Sequence, residues 1–146
     1  MRRPALIVTV LTATALSLTA CGEGSSSGND PQSLVDTAYA VTTLTVDGAD
    51  REVLGPVEIA FTADTISVAT PCNGMSGPVN YSELALTVGP LASTKMACEP
   101  ALMEQDQVIA NALAANPTWQ LSGETLTLTG GGTVIAGDNL LEDVTP

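Results

Sequence analysis

Val57-Glu58-Ile59-Ala60-Phe61-Thr62-Ala63-Asp64-Thr65-Ile66-Ser67-Val68-Ala69 alternates apolar and polar side chains twice, with a break at Thr62-Ala63-Asp64. Side chains along a strand point to opposite faces in turn, so Val57, Ile59 and Phe61, then Ile66 and Val68, make one apolar face on two connected strands. The same period of two recurs outward, over Ala38–Val46 on one side and over Val79–Tyr81, Leu84–Val88, Thr118–Leu121, Thr125–Thr129 and Thr133–Ala136 on the other. Asp47-Gly48 and Ser122-Gly123 mark tight turns, because glycine accepts positive φ without a Cβ clash. Gly130-Gly131-Gly132 reads as a strand connection; no Lys-Ser/Thr follows it, as a phosphate loop requires. About eight short strands predict a mainly β (α+β) fold, a small antiparallel barrel-like sheet.

One segment departs from that period. Pro100 to Ala115 has no β-branched run, opens on a proline suited to the first helical turn, and spaces Leu102, Ile109 and Leu113 on one side. Glu104 and Asp106 lie early, where the helix dipole favours anions. Asn116-Pro117 ends it, since proline disfavours helix at the residue before it. The expectation is one inserted amphipathic helix with its apolar stripe against the sheet.

The N-terminus reads as an address. Met1-Arg2-Arg3 is basic, Ala5 to Ala20 carries no charge, and Leu18-Thr19-Ala20-Cys21-Gly22 follows. This is the layout of an export signal, and its end resembles the bacterial lipobox. In that resemblance cleavage falls before Cys21, whose thiol receives a diacylglycerol. The uncharged stretch is too short and too rich in Thr and Ala to make a convincing spanning helix. Each buried lipid methylene contributes about 0.8 kcal/mol and one chain holds only marginally, so a stable anchor takes two or three. The expected layout is a signal peptide at 1–20, the lipidated cysteine with a flexible Gly/Ser linker at 21–33, a domain at 34–137 and an acidic tail at 138–146. The expected location is the cell membrane, lipid-anchored through Cys21 and facing the extracytoplasmic side.

Charge and composition exclude several functions. All 16 acidic residues lie beyond residue 20, against Arg51 and Lys95 as the only cations there. Such a field repels phosphates, so nucleic-acid binding is not expected; an acidic, solvated surface that keeps an exported protein soluble is. With no histidine in the chain, Ser-His-Asp and Cys-His catalysis are ruled out. Ser93 and Lys95 share a face if the segment is a strand, and read as surface residues. Asp47, Asp50 and Glu52 lack the EF-hand spacing and read as a solvated hairpin end. No catalytic residue, no metal site and no cofactor is expected.

Cys72 and Cys98 remain once Cys21 is spent on lipid. An even count in an oxidising compartment predicts that they pair, with two free thiols as the alternative. A zinc site needs more ligands than the chain offers. Closing a loop of this length contributes about 3 to 4 kcal/mol on a chain-entropy estimate. Asn73, Gly74 and Gly77 read as turn residues. Met75, Met96 and Met103 flank the cysteines and read as core filling, with the lining of a soft apolar pocket as their other use.

Two blocks carry a family resemblance: Pro71-Cys72-Asn73-Gly74-Met75-Ser76-Gly77, and Leu86-Thr87-Val88-Gly89-Pro90-Leu91-Ala92-Ser93-Thr94-Lys95-Met96-Ala97-Cys98. Together with Leu126-Thr127-Leu128 they resemble the META domain, the family of the bacterial heat-shock protein HslJ. The resemblance covers roughly Tyr39 to Ala136, with Tyr39 where the family usually has Trp and Pro71 where it has Gly. It implies a compact antiparallel barrel with a helix, an envelope setting, and a structural motif at Asn73, Gly77, Thr94 and Met96. Related proteins include a lipid-binding pilotin of a secretion system, which implies a groove between helix and sheet that could hold an acyl chain. The expected function is a non-enzymatic envelope domain that binds a protein or envelope component, with a stress-related role implied by the family. The alternative is a carrier of a lipid or small apolar ligand.

Overall fold

The computed structural model describes residues 29–141. The expected signal peptide, Cys21, most of the linker and the last five residues lie outside them. A 3₁₀ turn at Pro31–Leu34 is followed by β1 (Thr37–Val46), β2 (Ala49–Arg51), β3 (Glu58–Phe61), β4 (Thr65–Ala69), β5 (Gly74–Tyr81), β6 (Leu86–Val88) and β7 (Ala92–Ser93). The helix α1 (Pro100–Ala114) precedes β8 (Thr118–Ser122), β9 (Thr125–Gly130) and β10 (Thr133–Asn139). Eight strands run in the order β6-β5-β4-β3-β1-β10-β9-β8, with β2 on β1 and β7 on β5. Every strand pairing is antiparallel.

The stretch 57–69 folds as its alternation predicts. Ile59 faces Val68 and Phe61 faces Ile66 across β3 and β4. All four are buried, while Glu58, Ser67 and Ala69 are exposed. The ends of the eight-strand path meet at a bridge between Ala85 and Thr118, where Leu86 N donates to Pro117 O at 2.9 Å and Trp119 N to Leu84 O at 3.2 Å. The sheet is therefore a nearly closed barrel, whose interior is Val, Ile and Leu around Tyr39, Phe61 and Trp119.

The tight turns fall where glycine predicts them. Asp47 and Gly48 both have positive φ, 51° and 80°, as a two-residue hairpin requires. Gly131 and Gly132 do the same between β9 and β10. At the helix end Asn116 takes φ 53°, and its Oδ1 accepts from Val88 N at 2.9 Å, tying the stop signal to β6.

Two domain boundaries differ from the sequence reading, and two strands go unread by it. Residues 29–33, placed by composition in the linker, pack on the barrel: Asn29 Nδ2 donates to Trp119 O at 2.6 Å, Asp30 caps the 3₁₀ turn, and Leu34 is fully buried. Asp138 and Asn139, placed in the tail, belong to β10, where Asp138 pairs with Ala40 and Thr125. The short edge strands β2 and β7 escape a periodicity reading because their side chains are all exposed and show no alternation.

Candidate functional site

The helix docks through more than its apolar stripe. Ile109, Ala112 and Leu113 are buried against the core, but Leu102 is only half-buried, and the polar Gln105 and Asp106 are buried instead. Gln105 Oε1 accepts from Leu54 N at 2.7 Å and its Nε2 donates to Leu54 O at 3.1 Å. The side-chain amide thus pairs with a backbone residue as a neighbouring strand would, which meets the hydrogen-bond demand of burying it. An exposed pair of Arg51 with Glu104 at 3.1 Å adds little.

Asp106 anchors the other side of α1. It is the seventh residue of the helix, too far in for the end-dipole role its early position suggests. Its Oδ1 lies 2.6 Å from Thr70 Oγ1 and its Oδ2 is 2.9 Å from Asn73 Nδ2. Asn73 Oδ1 accepts from both Thr94 Oγ1 and Met96 N, each at 2.9 Å. The amide orientation is fixed by chemistry, since a backbone N–H can meet only the oxygen. Thr94 closes the circuit, accepting from Gly74 N at 3.1 Å. Asn73 therefore joins three parts of the chain: the β4–β5 loop, the 94–96 segment and α1.

Asn73 does close the turn between β4 and β5, its backbone O accepting from Thr70 N at 3.0 Å, but the rest of the turn reading gives way to this junction. Asn73 has no positive φ, and Gly74 and Gly77 lie within β5. A Cβ on Gly77 would stand 2.7 Å from Pro90 O, so glycine is needed there for chain crossing rather than turning. Thr94 and Met96 meet Asn73 directly; Gly77 does not.

A disulfide joins Cys72 and Cys98 across 26 residues, with their Cα atoms 5.9 Å apart. It closes the same loop that Asn73 closes by hydrogen bonds. Unreduced protein treated with an alkylating reagent should show no modified thiol at 72 or 98 by mass spectrometry, whereas alkylation at both would contradict the bond.

Between α1 and the pinned segment lies a groove of about 490 Å³. Its lining includes Met75, Leu91, Met96, Ala97, Met103 and Ala110, with Asn73, Lys95 and Asp106 at its polar edge. The three methionines converge here, as the pocket reading required. The core-filling reading holds for Met75 alone, which is 4% exposed; Met96 is 63% and Met103 48% exposed. Another hollow, of about 510 Å³, on β3, β4, β5 and β7 is floored mainly by short side chains such as Ala60, Ser67, Ala69 and Ser76. Ser93 Oγ donates to Thr94 O, and among the described residues Lys95 has no ion pair. Among those residues, too, no three His, Cys, Asp or Glu side chains converge, and no helix is long and apolar enough to cross a membrane.

The META domain matches residues 32–139, the span that holds the barrel, the Asn73 junction and the two cysteine blocks. The chain belongs to the META domain family. Two structures determined by NMR share the fold. One, from Burkholderia xenovorans, is 19% identical, with a TM-score of 0.62 over 95% of this chain and 97% of that one. The other is 28% identical, with a TM-score of 0.63 over 80% of this chain and 98% of that one. No curated protein matches the chain. Sequence reading found Asn73, Thr94 and Met96 through the family pattern, gave Asp106 a dipole role in place of its contacts with Thr70 and Asn73, and missed Thr70 and Gln105. The available signal was spacing: Gln105 and Asp106 stand three and four residues after Leu102 and four and three before Ile109, on the apolar stripe of the helix.

Proposed function

We propose that this META-domain protein is a non-enzymatic binding domain, anchored through lipid on Cys21 at the extracytoplasmic face of the cell membrane, that receives an apolar element of an envelope protein or component in the groove beside α1. The observation that carries this reading is the placement of Met96 and Met103. Large apolar side chains left in water on the rim of one concave surface are the mark of a binding face, and flexible thioethers adapt to varied partners. The backbone beneath them is held by Asn73 and the disulfide, so the rim is presented without much ordering cost on binding. A photo-reactive residue at Gln107, which lines the groove, should capture one specific envelope protein in living cells. Recovery of no adduct, or of the same adducts from an exposed position far from the groove such as Thr42, would sink the partner reading. The mostly apolar lining also favours a carrier of an acyl chain or small apolar ligand, and native mass spectrometry showing a copurifying acyl ligand would select it.

A further inference from the structure

We propose that Met96 and Met103 are oxidation sites, and that their sulfoxides close the groove to apolar ligands. The inference rests on the groove being the binding face argued above. Among the described residues, sulfur occurs in only five side chains, and two of these, Cys72 and Cys98, are already joined. Of the three thioethers left, Met75 is 4% exposed, Met96 63% and Met103 48%. Oxidant reaches sulfur according to exposure, so the two rim methionines react and the core one is shielded. Both reactive sulfurs border the same concave surface.

The chemistry needs only a peroxide. A thioether lone pair attacks one oxygen of hydrogen peroxide, the S–O bond forms as the O–O bond breaks, and sulfur gives up two electrons. The departing hydroxide takes the proton of the transferred oxygen and leaves as water. The product is a strongly polar, chiral sulfoxide where the rim had been apolar. An incoming apolar group would have to strip water from it without offering a hydrogen bond in return. The fold beneath is spared, because Met96 is fixed by its backbone N–H to Asn73 Oδ1 at 2.9 Å and not by its side chain. The disulfide two residues on holds the segment in the same way.

The test uses the full chain, a dansyl-labelled fatty acid as the apolar probe, and graded hydrogen peroxide. Peptide mass mapping should show Met96 and Met103 gaining oxygen about tenfold faster than Met75, and probe affinity should fall about tenfold in step. Whatever affinity the M96L/M103L variant starts from, the same peroxide treatment should leave that affinity unchanged, with an unchanged circular dichroism spectrum. Equal rates at all three methionines, or binding that survives oxidation of Met96 and Met103, would overturn the proposal alone. Absence of probe binding before any peroxide would overturn the apolar-groove reading and this proposal with it.

Discussion

Ile109→Asp leaves the domain unfolded at room temperature. Ile109 is 1% exposed and sits mid-helix among the core residues, where α1 lies against β9 and β10. Truncating such a side chain costs about 2 to 5 kcal/mol by itself. The variant also asks an ionised carboxylate to sit among aliphatic groups with no partner, which costs several kcal/mol more or forces the helix off the barrel. Against the 5–15 kcal/mol typical of a domain, roughly nothing remains. The expected result is loss of a cooperative thermal transition followed by circular dichroism. Gln107→Glu, on an exposed position of the same helix, should change stability by no more than about 0.5 kcal/mol. A melting midpoint for Ile109→Asp within a few degrees of the parent would mean that α1 is not part of the core.

The barrel was legible because its strands bury one face and wet the other. Val57 to Ala69 states that rule plainly, and the hairpin glycines supply the corners. What periodicity cannot report is pairing whose side chains all face water, which is why β2 and β7 were missed. Nor can it report a buried polar residue: Gln105 and Asp106 interrupt the stripe of α1, and their burial makes sense only once Leu54, Thr70 and Asn73 stand opposite them. The same limit governed the motif. Asn73 and the glycines look like turn chemistry in one dimension, because the contacts that need them, Met96 N for Asn73 and Pro90 O for Gly77, come from segments a dozen or more residues away. The groove was half legible, since the methionines marked the region but only the fold separates one core methionine from two on the rim.

Asn73→Asp tests the junction most sharply, because it changes almost no shape. Its Oδ1 could still accept from Thr94 Oγ1 and Met96 N, but the donor to Asp106 would be gone. In place of a 2.9 Å hydrogen bond, two carboxylates would face each other. With the two carboxylate charges centred about 4 Å apart and an effective dielectric near 20, they repel by about 4 kcal/mol, so the pair would keep one proton to a higher pH than either acid does alone. The sign follows from where that proton is held. The folded variant binds it more tightly than the unfolded chain, so the deficit relative to the parent is small below the ordinary aspartate value of about 4 and grows as pH rises through the raised value of the folded pair. Asn73→Ala provides the contrast: it leaves Met96 N and Asp106 short of a partner without adding charge, and costs about 2 to 3 kcal/mol with little dependence on pH. Urea denaturation of both variants and the parent at pH 7 and pH 4 separates the two effects. The Asp variant should be the weaker at pH 7, by about 4 kcal/mol against the parent, and should recover most of that at pH 4. A deficit of equal size at both values would show that Asn73 and Asp106 do not meet as described, and would remove the link that ties the groove's rim to the helix opposite.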